Sequence, residues 1–207
     1  TLTVSESVLG YICDAVTPQG VLALLKEEKC EIKEEKGMRQ RIYWNRNWEF
    51  TTEYTEKLLE KNFLGETVIV MLPHTVAETP FHYFDESIYQ MVSGYRRVFV
   101  PEENWKDKQV LLTVEAAAHQ AEVYLNGVKI KEHFCGYTAF SVDLAPHLIY
   151  GRENVLVIRV DSRESLNIPP FGKVIDYMTY GGIYREVYID ILDKTCIEDI
   201  FVKTKRI

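Results

Sequence analysis

The sequence predicts an all-β fold, an antiparallel β-sandwich with a short helical appendage at its N-terminus. Between residues 40 and 202, many short strand-like segments follow one another with turn signals between them, and almost no helical periods occur. Asn126 and Gly127 lie between two of these segments, and this dipeptide is the strongest short-range signal for a hairpin with a type I′ turn. The spacing of the segments does not suit strands that alternate with helices, which favours antiparallel pairing.

Residues 1–37 differ from the rest of the chain and are predicted to form a partly helical N-terminal extension. Pro18 follows Thr17, which suits the first turn of a helix, and residues 21–25 supply an apolar face. Residues 26–36 carry mixed charges at helical spacing, and Gly37 ends the segment. The remaining residues, 38–207, are predicted to form the sandwich domain.

The predicted strands are recognised by different signals. The first predicted strand, residues 67–72, is a continuous apolar run of strand length. The second, residues 95–100, is followed by Pro101, whose backbone has no N–H to donate to a β-ladder. The two segments on either side of the Asn-Gly turn alternate between apolar and polar residues. In order along the chain, the predicted strands are residues 67–72, 95–100, 109–114, 121–125, 128–130, 137–142, 154–160, 183–192 and 197–202.

Length and composition restrict the class of protein. The chain has 207 residues, enough for one large domain with an appendage, and 46% hydrophobic with 27% charged residues is ordinary for a globular protein. The net charge of −7 and the lack of a basic stripe argue against nucleic acid as a partner. No apolar run approaches the roughly 18 residues that span a membrane, and the first residues lack the basic region of a signal peptide. We therefore expect a cytoplasmic protein without a membrane partner.

The sequence contains no motif for nucleophilic catalysis, phosphate binding or dinucleotide binding. His82, Asp85 and Glu86 are close together, but their spacing matches no established metal site, so we predict neither a metal nor another cofactor. Four widely spaced cysteines without a C-x-x-C pair predict reduced thiols, with one disulfide as the open alternative. Three further histidines are expected to be structural hydrogen-bonding residues: His74, His119 and His133.

The segment from Asp176 to Arg185 has the composition of a carbohydrate-binding loop. A carboxylate such as that of Asp176 can accept hydrogen bonds from two adjacent hydroxyls. Aromatic rings such as those of Tyr177 and Tyr180 can cover the apolar face of a sugar. The alternative from local chemistry is a tight turn, in which the aspartate forms the turn and the following glycine pair supplies positive φ before an ordinary strand.

Several blocks along the chain follow one another in a fixed order: Trp48 to Phe50, Leu72 to Thr75, Gly94 to Pro101, Val114 to Gly127, His133 to Phe140, Asn154 to Asp161 and Tyr180 to Val187. The fourth is close to the pattern F-E-G-A-x-x-x-A-x-V-Y-x-N-G, and the last to Y-G-G-I-Y-R-x-V. Asn47, next to the first block, and Cys135, in the fifth block, stand where the patterns of those two blocks usually have glycine. The ordered series, over residues 40–205, resembles the N-terminal sugar-binding domain of glycoside hydrolase family 2, the group that contains β-galactosidases, β-glucuronidases and β-mannosidases.

The resemblance implies a jelly-roll sandwich of the galactose-binding-domain type, in which Asp176 matches an aspartate that contacts substrate hydroxyls. Asp161, Tyr177 and Tyr180 are further candidates for substrate contact. For Asp161 the alternative is a turn-forming role, and for the two tyrosines it is packing in the core.

Other residues of the matching blocks are expected to be structural. Gly181, Gly182 and Arg185 would hold the strand and loop in place, the arginine through a buried ion pair. Asn126 and Gly127 would form the hairpin turn.

The resemblance also implies what lies outside the chain. In the family, the acid/base and nucleophile glutamates lie in a downstream (β/α)₈ barrel, reached through an immunoglobulin-like domain. We therefore expect no catalytic residue here, and a chain that is inactive alone but belongs to a retaining exo-glycosidase of β-galactosidase type. A terminal β-glycoside would be the ligand of that parent enzyme. The resemblance is also compatible with a parent enzyme that forms a homo-oligomer. A stand-alone carbohydrate-binding module and a purely architectural sandwich remain the alternatives.

Overall fold

In the computed structural model, residues 39–79, 81, 85–171, 179–197 and 200–204 are described, and they contain ten β-strands and four 3₁₀ turns. The predicted helical extension, residues 1–37, lies outside the described residues. The strands are β1 Gln40–Tyr43, β2 Trp48–Thr51, β3 Val68–Val70, β4 Val92–Phe99, β5 Gln109–Val114, β6 Gln120–Leu125, β7 Val128–His133, β8 Phe140–Asp143, β9 Asn154–Asp161 and β10 Val187–Leu192. The turns are Glu56–Leu59, Glu86–Tyr89, Glu103–Trp105 and Ala145–His147.

The strands form two antiparallel sheets, which confirms the predicted β-sandwich. One sheet has the order β1-β10-β5-β8, and the other has the order β3-β2-β4-β9-β6-β7. Alternate residues of each strand point into the space between the sheets, and the largest buried side chains there include Trp48, Tyr95, Leu112, Ile158 and Ile189. A smaller cluster around Leu58 and Val157 covers part of the outer face of the six-stranded sheet.

The predicted hairpin between β6 and β7 is confirmed. Asn126 has φ of 53° and Gly127 has φ of 82°, the two positive values that a type I′ turn requires. The Asn126 side chain also ties the hairpin to β9, because its amide group donates to the Asn154 side chain at 2.9 Å and its oxygen accepts from the Val155 backbone at 3.0 Å.

The predicted strand 197–202 is wrong for the residues that are described. Residue 197 and residues 200–202 are not in a strand, and their apolar side chains are exposed. A strand needs a partner, and both edges of β10 are already taken by β1 and β5. Strand β1 is not among the strands predicted from the sequence, since it is short and shows little alternation in burial.

An ionic cluster joins β1 to β10. Asp190 is fully buried and lies opposite Arg41 in the ladder, whose guanidinium donates to its two carboxylate oxygens at 2.9 and 3.0 Å. Arg39 donates to the same carboxylate. Burial alone would raise the pKa of Asp190, but the hydrogen bonds from Arg41 and Arg39 outweigh it and lower that pKa below its ordinary value.

This cluster should make stability fall in acid. Because the pKa of Asp190 is lower in the folded chain than in the unfolded one, its contribution is complete above the unfolded value near 4 and is lost as the pH falls below it. We expect the midpoint of urea unfolding to fall less between pH 5 and pH 3 in Asp190→Asn than in the wild-type chain. Asp107→Asn, which changes a carboxylate that is 93% exposed, is the control. Equal slopes for Asp190→Asn and the wild-type chain would contradict the prediction.

Candidate functional site

The segment from Thr179 to Val187 includes the end of the predicted sugar-binding loop. Two of the predicted site residues, Asp176 and Tyr177, lie outside the described residues. Thr179 is buried, Tyr180 is 43% exposed, and Gly181 to Ile183 are buried between neighbouring loops. The part of the loop that is described is therefore anchored in the sandwich.

Ser162, directly after β9, joins this segment to the loop before β6. Its hydroxyl donates to the Ala118 carbonyl at 2.8 Å and accepts from the Gly182 backbone at 3.1 Å. The Ala118 backbone in turn donates to the Gly182 carbonyl at 2.9 Å. All of these groups are buried, so breaking one bond would leave a buried polar group without a partner.

The opposite side of the segment is held by residues near β3 and β4. The His74 backbone donates to the Ile183 carbonyl at 2.8 Å, and the Val76 backbone donates to the Gly181 carbonyl at 3.2 Å. The Tyr95 hydroxyl accepts from the Ile183 backbone at 3.4 Å and lies 2.9 Å from Nδ1 of His74. Burial lowers the pKa of His74 and raises the pKa of Tyr95, so both side chains are neutral near pH 7. His74 has the structural hydrogen-bonding role expected of it.

The glycine pair is required by this close packing. A Cβ at Gly181 would lie 2.7 Å from the Ser162 hydroxyl. Gly182 has φ of +94°, and a Cβ there would lie 2.4 Å from the Tyr95 hydroxyl. No larger residue fits either position without movement of the surroundings.

A cavity of about 190 Å³ opens beside this segment, and we name it the tyrosine cavity. Its polar and aromatic lining comes from three separate parts of the chain: His119, Tyr137, and the segment that supplies Thr179, Tyr180, Tyr184 and Arg185. Of these residues, Tyr180 is a predicted substrate contact, and Arg185 and His119 are predicted to be structural. The sequence offers no local signal for the others, because the antiparallel ladders bring them together.

His119 is the most deeply buried polar residue of the tyrosine cavity. It is 3% exposed, and its Nδ1 is buried with no hydrogen-bond partner among the described residues. Burial lowers the pKa of His119, an effect that the negative charges of Glu164 and Asp161 offset in part. The imidazole is therefore neutral near pH 7 and keeps hydrogen-bonding capacity that the described residues do not use.

The tyrosine side chains around the cavity are fixed by packing. The Tyr184 hydroxyl donates to the Gly136 carbonyl, and burial raises its pKa. The Tyr180 ring meets the Tyr89 ring edge to face at a centroid distance of 5.9 Å. The Thr179 hydroxyl donates to the Glu164 carboxylate at 3.2 Å. The cavity thus has a largely preformed wall of rings with a few polar groups, as is typical of ligand sites.

Arg185 differs from its prediction. It is exposed, with its guanidinium 5.7 Å from the Tyr184 ring centroid, and it makes no ion pair with a carboxylate of the described residues. The start of β10 is held instead by Asn45, whose side-chain oxygen accepts from the Val187 backbone at 3.0 Å. A buried arginine would need a paired carboxylate to offset its desolvation, and Arg185 forms no such pair in the described part of the chain.

Asp161 lines a second cavity of about 310 Å³, together with Gln120, Arg163 and Glu164. Its carboxylate accepts from the Arg163 side chain at 2.8 and 2.6 Å and from the Arg163 backbone at 3.2 Å, and Arg159 lies 3.5 Å away. Burial would raise the pKa of Asp161, but the bonds from Arg163 and the charges of both arginines lower it. Because both oxygens are engaged, this geometry favours the turn-forming role over contact with a sugar.

The described residues show neither a metal-binding cluster nor a disulfide. They contain no group of three or more side chains that could hold a metal ion, and Cys135 and Cys196 are free thiols there. His82, one of the three residues weighed as metal ligands, is not among the described residues. None of the helical turns in this part of the chain has the length and apolar character needed to cross a membrane.

Comparison with known proteins adds a family match to this geometry. The profile of the sugar binding domain of glycosyl hydrolases family 2 matches residues 67–192. The chain is 42% identical over 168 residues to a β-galactosidase of Thermoanaerobacterium thermosulfurigenes, covering 81% of this chain and 24% of that protein. A β-glucuronidase of Bacteroides fragilis is 32% identical over 164 residues, covering 79% of this chain and 22% of its own length.

A solved structure gives the same result for the fold. The crystal structure of a Bacteroides uniformis β-glucuronidase superimposes with a TM-score of 0.68 and 30% identity, over 75% of this chain and 18% of that one. The chain thus spans about a quarter or less of the length of these relatives.

Proposed function

Because this chain belongs to the sugar-binding domains of glycoside hydrolase family 2, we propose that it is a non-catalytic part of a longer, retaining exo-glycosidase. In this proposal the domain completes the wall of an active site, and the carboxylate of Asp176 accepts hydrogen bonds from hydroxyls of the terminal sugar. The chemical step belongs to glutamates on a downstream (β/α)₈ barrel, which an immunoglobulin-like domain connects to this one.

The observation that supports the proposal is the anchoring of the segment that follows Asp176. The His74 and Ala118 backbones donate hydrogen bonds to the carbonyls of residues 183 and 182, and the Ser162 hydroxyl accepts one from the backbone of residue 182, so that this segment is fixed from both sides. A substrate-binding carboxylate is useful only if its position is set before the substrate arrives, since catalysis gains from fixed geometry. Closely packed backbone at residues 181–183, five to seven positions after the aspartate in sequence, is the kind of support that a substrate-binding loop needs.

A β-galactoside is the substrate class we propose for the parent enzyme. Identity to the β-galactosidase of Thermoanaerobacterium thermosulfurigenes is 42%, against 32% to the β-glucuronidase of Bacteroides fragilis. The domain would then contact the hydroxyls that these sugars share, and other parts of the enzyme would distinguish galactose from glucuronic acid. We also propose that the parent is cytoplasmic and compatible with a homo-oligomer, as the sequence suggests.

The proposal predicts that the isolated chain binds sugars very weakly. One carboxylate and one cavity wall cannot offset the entropic cost of binding. We therefore expect dissociation constants above about 1 mM for galactosides, that is, a favourable binding free energy smaller than about 4 kcal/mol. Calorimetric or NMR titration with mono- and oligosaccharides measures this, and the Asp176→Ala chain is the matched control. Saturable binding well below that concentration, lost in Asp176→Ala, would instead favour a stand-alone carbohydrate-binding module.

A further inference from the structure

Strand β3 forms one edge of the six-stranded sheet, and only β2 pairs with it in the described part of the chain. In an antiparallel ladder, the backbone groups of successive residues point to alternate sides of the strand. Part of the N–H and C=O groups of β3 therefore point away from β2. They form an edge to which another strand can add, and we name it the β3 edge.

Apolar side chains are exposed on both faces of the β3 edge. Ile69 lies opposite Glu49 in the ladder and is 68% exposed, and Met71, two residues later, is 61% exposed. Val68 lies opposite Phe50, which is buried in the core, yet Val68 is 59% exposed. The core is therefore open at this edge, and a strand that covers it must be apolar on both of its own faces.

The other three sheet edges of the described residues carry charged side chains, which usually protect an edge from pairing. Strand β7, at the far end of the same sheet, contains Lys129 and Lys131, and its ladder with β6 has a register shift. In the four-stranded sheet, β1 contains Arg41 and β8 contains Asp143. Residues 67–72, by contrast, contain neither a charge nor a proline. No side chain of this run therefore opposes a neighbouring strand.

Charges of opposite sign lie at the two ends of the run. Glu66 precedes it, is exposed and makes no ion pair with the described residues. At the other end, the Leu72 backbone donates to the Asn45 carbonyl at 2.6 Å, which places the exposed Arg46 beside the end of the run. The Arg97 guanidinium donates to the Arg46 carbonyl, and neither arginine is paired with a carboxylate of the described residues. The β3 edge is thus acidic at its start and basic at its end.

We propose that the β3 edge is a dimer interface, at which the β3 strands of two copies of this chain pair antiparallel across a twofold axis. With the axis at Ile69, Glu66 of one copy lies opposite Leu72 of the other. Arg46 lies beside that position, so each acidic end meets a basic end, and the symmetry repeats the contact. A second copy also supplies the strand with two apolar faces that the edge requires. The contact needs no carbohydrate, so it holds or fails independently of the proposed function.

The interface is expected to be weak in the isolated chain. Each copy contributes one short strand, whereas standard interfaces bury about 800 Å² per partner. We therefore expect a dissociation constant of about 10 to 100 µM for the dimer. Analytical ultracentrifugation of the full 207-residue chain, over concentrations from about 5 to 500 µM, measures it.

Ile69→Lys tests whether β3 is the contact. The substitution places two lysines opposite each other at the axis and removes apolar surface, so we expect the dissociation constant to rise at least about tenfold. Because Ile69 is 68% exposed, the folded monomer should stay intact. Val128→Lys is the matched control, since it adds the same charge at the β7 edge, at a valine that is 53% exposed. It should leave the dissociation constant unchanged.

Charge reversal tests the antiparallel geometry. Glu66→Arg and Arg46→Glu should each raise the dissociation constant about three- to tenfold at low salt, because each contact occurs twice in the dimer. The variant with both substitutions exchanges the two charges, so it should return the dissociation constant to within about twofold of the wild type. Both residues are exposed and lie outside the apolar run, so these variants test the interface even if Ile69→Lys does not fold.

Several results would overturn the proposal. A wild-type chain that stays monomeric at about 500 µM would exclude the dimer. Protection of the β3 amides from hydrogen exchange in that monomer would show that another segment of the same chain covers the edge. An equal loss in Ile69→Lys and Val128→Lys would place the contact on another surface. A double charge variant that dimerises no better than either single one would exclude the antiparallel arrangement.

Discussion

Replacing Asp176 by alanine in the full-length parent enzyme is expected to lower kcat/KM on its preferred glycoside at least tenfold, with the fold intact. The carboxylate can accept hydrogen bonds from two neighbouring hydroxyls of the terminal sugar. Losing them reduces binding and releases the sugar from the orientation in which the glycosidic bond meets the catalytic groups. A tenfold loss corresponds to about 1.4 kcal/mol, which is within reach of a single charged hydrogen-bonding group. Steady-state kinetics on an aryl β-galactoside measures it.

The control for this experiment is Asp107→Ala, which removes a carboxylate that is 93% exposed and lies next to Lys194, far in sequence from the loop. It should leave kcat/KM at the wild-type value. Circular dichroism and the melting temperature check that both variants are folded. A kcat/KM for Asp176→Ala within twofold of the wild type would remove the support for a substrate-binding carboxylate and would favour a purely architectural sandwich.

Much of the sandwich could be predicted from the sequence because its signals are local. The Asn126-Gly127 turn needs only two residues with positive φ, and β6 before it alternates in burial as its sequence alternates. The exceptions are segments whose partners decide their structure. Residues 197 and 200–202 have the composition of a strand, but the neighbouring sheet has no free edge for them at β10.

The surroundings of the site could be predicted only in part, because they depend on contacts between distant residues. Tyr180 belongs to a recognisable sequence block, but His119 and Tyr137 reach the same cavity from other loops. Arg185 was expected to be buried in an ion pair, yet an arginine is buried only where a carboxylate is placed to receive it. No rule of local sequence indicates that Arg185 makes no ion pair within the described part of the chain, or that the Asn45 side chain accepts from the Val187 backbone at the start of β10.

The same dependence on packing makes Gly182 sensitive to substitution. Its backbone donates to Ser162 and lies against Tyr95, which is fully buried and also accepts from the next residue, Ile183. The three contacts connect the loop that follows Asp176 to strands of the six-stranded sheet. A change at Gly182 should therefore affect the stability of the sandwich and the position of the loop together.

Gly182→Ala is expected to destabilise the chain by about 2 to 4 kcal/mol, for two reasons. A side chain is unfavourable at this backbone conformation, and the new methyl group would clash with its surroundings. Its φ of +94° disfavours any side chain, and the new Cβ would lie 2.4 Å from the Tyr95 hydroxyl and 3.0 Å from the His74 carbonyl. Gly127→Ala is the matched control, since φ there is +82° but nothing lies within 4 Å of the new Cβ. That variant should lose only the conformational part, about 1 kcal/mol. Urea unfolding of both variants separates the two effects, and equal losses would mean that the packing around Tyr95 yields without cost.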